Sequence, residues 1–165
     1  MTQEEPKGWV TKDGRNVSNS DSQKSVEGFA GMLVATTDMD WKEKWQTPSE
    51  KGPRFNQVSS IRRGQPAAIL TFYSGPRPDA EGNINIACDI KLTTPDKKIV
   101  IDSKDVAIGG GRLHGNALNL RLSPAVIDFM GDATDPPGVW LFEITLTDKI
   151  RNVTIPLSLR LTLTE

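Results

Sequence analysis

A two-residue period constrains this chain more than any other feature. Behind a Pro136-Pro137-Gly138 breaker, Trp140, Phe142, Ile144 and Leu146 alternate with Leu141, Glu143, Thr145 and Thr147. After a polar turn at Asp148-Lys149-Ile150-Arg151-Asn152, the residues Val153, Ile155, Leu157, Leu159, Leu161 and Leu163 alternate with Thr154, Pro156, Ser158, Arg160 and Thr162. Successive side chains of an extended chain point to opposite faces, so the two runs predict strands with one apolar side, joined as an antiparallel hairpin. Trp140 falls on the apolar face and is expected in the core rather than at a ligand. Pro156 cannot donate to a ladder, which predicts an edge or bulge position there.

The same period recurs upstream. Ile84, Ile86, Cys88, Ile90 and Leu92 alternate with Asn85, Ala87, Asp89 and Lys91, and Thr94-Pro95-Asp96-Lys97-Lys98 reads as a hairpin tip before Ile99-Val100-Ile101. Residues 29–37, apolar and bounded by Gly28 and Asp38, predict the first core strand. Asp40 and Glu43 have capping-box spacing, so one or two helical turns are expected with Trp41 and Trp45 on one face, ended by Pro48 and Gly52-Pro53. Residues 55–63 and 67–73 read as a second strand pair joined through Arg63-Gly64-Gln65-Pro66, and 74–83 as a long proline-marked connection. Residues 109–115 read as a mobile loop and 118–122 as a strand, while Ser123-Pro124 opens a short helical turn that Gly131 closes. No βαβ alternation or internal repeat is visible. The expectation is therefore all-β: an antiparallel two-sheet sandwich of seven or eight strands with one or two short helical turns, spanning 29–165. A polar arm at 1–28, partly disordered, precedes it, with Trp9 and Val10 as its isolated apolar residues.

Composition removes several functions. The 165 residues carry a net charge of -1 from 20 basic and 21 acidic side chains, which gives no field to recruit nucleic acid or an anionic membrane. No apolar run approaches the ~18 residues of a membrane span. Cys88 is the sole cysteine, so no disulfide forms within the chain, and its apolar side of a strand predicts a buried, unreactive thiol. The polar start at Met1-Thr2-Gln3-Glu4-Glu5-Pro6 fits a cytoplasmic chain or a mature exported chain whose signal segment was replaced by an initiator Met. Asn16-Val17-Ser18 and Asn152-Val153-Thr154 match the glycosylation tripeptide, a pattern short enough to arise by chance.

Catalytic chemistry finds little support. His114 is the only histidine, without a Gly-x-Ser-x-Gly elbow, and it pairs with Cys88 too poorly in sequence to build a zinc or copper site. Gly109-Gly110-Gly111 with Arg112 nearby could cradle a phosphate, but no helix follows to face the anion. Asp38 with Asp40, Asp132 with Asp135, and Asp79-Ala80-Glu81-Gly82-Asn83 read as local turn chemistry, the last being a loose echo of a calcium loop without its terminal Glu. No metal or cofactor is expected.

Residues 136–148 resemble the Pro-Gly, aromatic, alternating apolar, Asp strand of bacterial immunoglobulin-like domains. Thr93-Thr94-Pro95-Asp96-Lys97 resembles their x-x-Pro-Asp-Gly hairpin, with Lys97 where Gly is usual. The likeness covers 29–165 in pattern. More loosely, residues 29–37 with Trp41 and Trp45 are similar to small exported bacterial proteins with no assigned activity. The resemblance implies a periplasmic or secreted location and brings no catalytic residues. The paired cysteines of antibody-type domains are missing.

Together these features lead to the expectation of a non-enzymatic, exported binding or structural module, partner unknown, acting through its loops. Trp41, Trp45, Arg112 and His114 are its candidate contacts with a protein or glycan. The alternative is a carbohydrate-binding module that stacks sugars on exposed tryptophans. An unpaired edge strand could also recruit a second copy, so the chain is expected to be a monomer or a weak edge-strand dimer.

Overall fold

A computed structural model describes Trp9, Arg15 and residues 18–46 and 55–165. The alternating runs become long strands: β5 (Asn83–Thr93), β9 (Gly138–Asp148) and β10 (Val153–Thr164). They lie side by side, with Phe142 opposite both Leu92 and Leu159, so their apolar residues fall on one face. The 14-residue β6 (Ile99–Arg112) extends this sheet beyond β5, and the short β3 (Ser60–Arg62) closes its other side against β10. The second sheet holds β1 (Gln23–Val26), β2 (Phe29–Thr36) and β4 (Ala67–Ser74), with β7 (Arg121–Leu122) and β8 (Ile127–Phe129) sharing the far edge of β4. The helix α1 (Trp41–Gln46) is the only one among the described residues.

The two inner faces meet in a continuous apolar layer. Towards one end Phe29, Leu33, Tyr73, Ile86, Cys88, Leu146 and Ile155 pack together. Towards the other, Phe129 stands edge-on to both Trp140 (5.0 Å between centroids) and Phe142 (5.6 Å). Trp140 is 3% exposed and its indole N–H donates to the Pro136 carbonyl at 3.1 Å, so the one polar atom of the core anchor is satisfied. The smaller sheet is buried on its outer side as well. Val34, Ala68, Leu70 and Phe72 face away from the sandwich core and are covered by Trp41, Trp45, Phe55, Leu120, Leu122 and Val126. That double burial explains why residues 67–73 read as an unbroken apolar run rather than an alternating one.

Several expectations change. Among the described residues there are ten strands rather than seven or eight. The sheets are antiparallel except at β3, which runs parallel to β10 with Ile61 opposite Leu163, rather than pairing with 67–73. The register places Ile61 in the core beside Trp140, a burial that a local hairpin with β4 would not supply. Gln23–Val26, within the expected 1–28 arm, pairs with β2 through a tight Glu27-Gly28 turn in which both residues have positive φ. Trp9 is half-buried over this hairpin, its indole N–H donating to the carbonyls of Lys24 and Gly31. Only Arg121 and Leu122 of the 118–122 strand are extended and paired. The helical turn expected after Ser123-Pro124 is instead β8, because Ile127–Phe129 finds an open edge at Ala67–Ile69. Residues 109–112 are not loop but the end of β6, paired with 83–86. Gly109 is required there by packing, since a Cβ would fall on the Tyr73 hydroxyl. Asn16, Val17, Pro48, Gly52 and Pro53 lie outside the described residues.

Candidate functional site

Three parts of the surface hold the candidate residues. The first is α1. Asp38 anchors its approach: one carboxylate oxygen accepts the Asn56 backbone N–H and the Lys44 ammonium, each at 2.7 Å. These bonds, the Asn56 N–H first, hold the Asp38 carboxyl below the usual range. Thr36 Oγ1 donates to the Asn56 carbonyl at 2.9 Å and accepts the Asp38 N–H at 3.0 Å, tying the same loop to β2. The helix so placed lays Trp45 on Phe72, with centroids 5.3 Å apart, and Phe55 packs on the other side at 5.9 Å. Trp41 and Trp45 are both half-buried on the outer face of the smaller sheet, not at the end of the sandwich. Much of their ring area therefore serves the sheet beneath.

The second part is the end where the turns after β1, β4, β6 and β9 gather. Arg112 closes β6 opposite Asn83 and its side chain is exposed. His114 is also exposed, and it is its carbonyl that the fold uses. The Arg121 guanidinium gathers the carbonyls of His114, Asn116, Ala117 and Asn119 at 2.8–3.2 Å, knotting the loop onto itself. Beside it lies an open cleft of about 280 Å3 lined by Gly28, Gly75, Pro76, Arg77, Leu118 and Arg151 among others. Its base is a brace invisible in the sequence. Asp148, 0% exposed, accepts the backbone N–H groups of Arg77 (2.9 Å), Ile150 and Arg151 (both 3.2 Å). Arg151 Nε lies 3.6 Å from the same carboxylate and its Nη2 donates to the Gly75 carbonyl at 3.1 Å. The charges here are spent on joining the β4–β5 connection to the β9–β10 turn.

The third part, which the sequence reading did not single out, is the outer face of the larger sheet. Among the described residues no helix or loop packs over it. In register across β10, β9 and β5, Ser158, Glu143 and Lys91 form one row and Pro156, Thr145 and Asp89 the next. With Lys104 from β6 and Lys24 from β1 at the two flanks, they line a depression of about 360 Å3. Among the described residues Lys24, Lys91 and Glu143 find no ion-pair partner, and Lys104 reaches the neighbouring Asp102 at 3.6 Å. Asp89 is held in place by accepting the Asp105 N–H at 2.8 Å. These residues occupy the solvent positions of the alternating strands, but which of them sit side by side depends on register, which no single strand encodes.

The remaining candidates resolve into local structure. Asp79 accepts the N–H groups of Glu81 and Asn83, and Asp132 the N–H and the hydroxyl of Thr134, as turn residues do. Among the described residues no three His, Cys, Asp or Glu side chains are grouped to hold a metal ion. Cys88 is 2% exposed, and burial pushes its thiol up to about 11. No contact among the described residues joins the Trp41 and Trp45 pair to Arg112 or His114.

No family model matches the chain, and no curated protein does. Solved structures give distant likenesses. A family 123 glycoside hydrolase from Clostridium perfringens is 8% identical over 84% of this chain and 27% of its own, with a TM-score of 0.43. The C-terminal domain of wzt is 12% identical over 87% of this chain and 77% of its own, at 0.44. A Niemann-Pick type C2 protein from Japanese carpenter ant is 9% identical over 80% and 89%, at 0.35. The chain thus spans about a quarter of the hydrolase, and none of the three likenesses bears on activity.

Proposed function

We propose that this protein is a non-enzymatic, exported binding module of immunoglobulin-like type whose ligand surface is the open face of the larger sheet. One observation carries the proposal: the two sheets are treated differently. The outer face of the smaller sheet is sealed by Trp41, Trp45, Phe55 and the 120–126 segment, whereas among the described residues the outer face of the larger one is uncovered and dished, with Lys24, Lys91 and Glu143 on its floor making no ion pair to a described residue. A concave surface with a few convergent polar groups is the usual form of a small-ligand site, and 360 Å3 falls at the small end of such sites. The immunoglobulin-like part is supported by strand order. β2, β4 and β7–β8 share one sheet while β5, β6, β9 and β10 share the other, as in sandwiches of that type. A non-enzymatic role is supported by the state of the nucleophile and base candidates, a protonated buried thiol and a lone exposed imidazole. Export is carried over from the resemblance of residues 29–37 and 136–148 to exported bacterial proteins.

The Trp41 and Trp45 reading is disfavoured because both rings are committed to Phe72 and its neighbours. Amide NMR of the isotope-labelled protein, titrated with neutral and acidic soluble oligosaccharides, decides between the surfaces. Shift changes grouped on Asp89, Lys91, Glu143, Thr145 and Ser158 are expected. Changes confined to Trp41–Gln46, or none with any sugar, would overturn the assignment.

A further inference from the structure

We infer that a second, smaller site lies in the cleft where the β1–β2 turn, the β4–β5 connection and the β9–β10 turn meet, and that it takes a carboxylate carried on an apolar body. The cleft, about 280 Å3, shares no lining residue with the depression on the larger sheet, so it is a site apart from the open face. The brace at its base occupies both Asp148 oxygens but only part of Arg151. That side chain is 14% exposed and held in place by the bond from Nη2 to the Gly75 carbonyl at 3.1 Å. Its Nη1 lies over Gly28, where a Cβ would come within 2.9 Å of it, and meets no acceptor among the described residues. Arg77 lines the same cleft and is exposed, and its guanidinium makes neither an ion pair nor a hydrogen bond among the described residues.

The charge balance selects a single negative charge. Arg77 and Arg151 bring two positive charges and the buried Asp148 one negative, which leaves one positive charge at the cleft. The carboxylates of Glu27 and Asp79, next along the chain, do not line it, and Asp79 turns an oxygen to the N–H groups of Glu81 and Asn83. Guanidinium N–H groups form a planar fork that fits carboxylate oxygens. A phosphate monoester carries about two negative charges, more than the cleft can match. The walls decide the rest of the ligand. Pro76, Pro78 and Leu118, the last 47% exposed, offer apolar surface, and no hydroxyl or aromatic side chain joins them. A sugar is disfavoured, because its hydroxyls need acceptors and both Asp148 oxygens are taken. The volume equals the share of about nine waters in the liquid, which limits the occupant to a small acid or the last residue of a chain. Two sources therefore present this chemistry, a free branched-chain acid and the C-terminal residue of a peptide.

Backbone NMR of the isotope-labelled full chain, titrated at low salt with isocaproate, N-acetylleucine and the neutral amide of each, tests this. Both acids are expected to shift Gly28, Gly75, Arg77, Leu118 and Arg151 at concentrations where the neutral counterparts do not. Tighter binding of N-acetylleucine would identify a chain terminus as the source and tighter binding of isocaproate a free acid, and either supports the carboxylate site. Arg77→Gln breaks no side-chain bond among the described residues, so its melting temperature should be unchanged. It should weaken binding of both acids about fivefold, the upper size of one exposed charge contact. Leu118→Ala, at the apolar wall, should weaken both about threefold. Equal shifts from the acids and their neutral counterparts, an affinity that ignores Arg77→Gln, or no shift at the cleft with any of the four compounds would overturn the assignment.

Discussion

Asp148 shows how a single side chain can matter more than its surroundings in sequence imply. In Asp148-Lys149-Ile150-Arg151-Asn152 it looks like an exposed turn residue, yet it is 0% exposed and accepts three backbone N–H groups from two separate connections. Asp148→Asn keeps the size but replaces one acceptor oxygen by a donor that must face an N–H, and it strips Arg151 of its partner. Leaving a buried backbone N–H without its charged acceptor costs about 1–3 kcal/mol, so urea unfolding should show a loss of about 2 kcal/mol. A loss below about 1 kcal/mol would mean the brace is incidental. Cys88 makes a second prediction at this scale. Its folded pKa is raised from 9.0 to about 11, so the neutral thiol is what folding favours. That contribution is complete below pH 9 and is lost as pH climbs towards 11; burial raises the Tyr73 phenol too, adding loss of the same sign from pH 10 upward. Denaturation series from pH 8 to 11 should show falling stability, with a shallower fall in Cys88→Ala. Parallel curves for the two proteins would count against it.

At the scale of elements, the turns set how closely the strands can meet. Gly75 and Gly64 have nearly the same backbone, φ +72° and +80°, but different surroundings. A Cβ at Gly64 meets nothing within 4 Å, while one at Gly75 would fall on the Gly28 carbonyl. Gly64→Ala should therefore cost only the left-handed penalty, about 1–2 kcal/mol less a partial gain from a stiffer unfolded chain. Gly75→Ala must also part the β1–β2 turn from the β4–β5 connection, and should cost more than about 3 kcal/mol or fail to fold. Equal melting temperatures for the two variants would refute the steric account. The elements also divide by how well the sequence foretells them. β2, β5, β9, β10 and α1 were legible because each carries its own period or cap. β1 and β8 were not, since each is three or four residues with no period of its own, and β3, which lies within the 55–63 run read as a strand, takes its partner from β10, a hundred positions on, rather than from 67–73. The end of β6 read as loop because glycines that exist for Tyr73 and for a strand partner look the same as glycines of a turn. The charged floor of the open face was out of reach for a related reason: its lysines and carboxylates were visible, their adjacency across four strands was not.

For the molecule as a whole, the question left by an open sandwich is what stops its edges from pairing. Most edges are short: β3 and β8 have three residues, β7 two and β1 four. Along β10, the residues whose N–H groups turn away from β9 include Ser158, bonded to the Asp21 carbonyl at 2.8 Å, and by the same alternation Pro156, whose missing donor therefore costs no bond to β9. That leaves β6, 14 residues long and mostly exposed. Its pairing with β5 slips register at three places, one of them at Lys104 and Asp105, where Asp105 has φ +53°. Each bulge bends the strand and breaks the regular row of donors and acceptors that a second copy would need, and Asp102, Lys104 and Asp105 put charge along the same edge. Of the monomer and the edge-strand dimer, this geometry favours the monomer. Light scattering should accordingly give a monomer mass even at high concentration. Deleting Asp105 would restore one-to-one pairing between Cys88 and Ile90 and flatten the middle of the edge, and that variant should associate in a concentration-dependent way. A dimer of the unaltered chain that Lys104→Pro dissolves would show instead that β6 pairs in spite of its bulges.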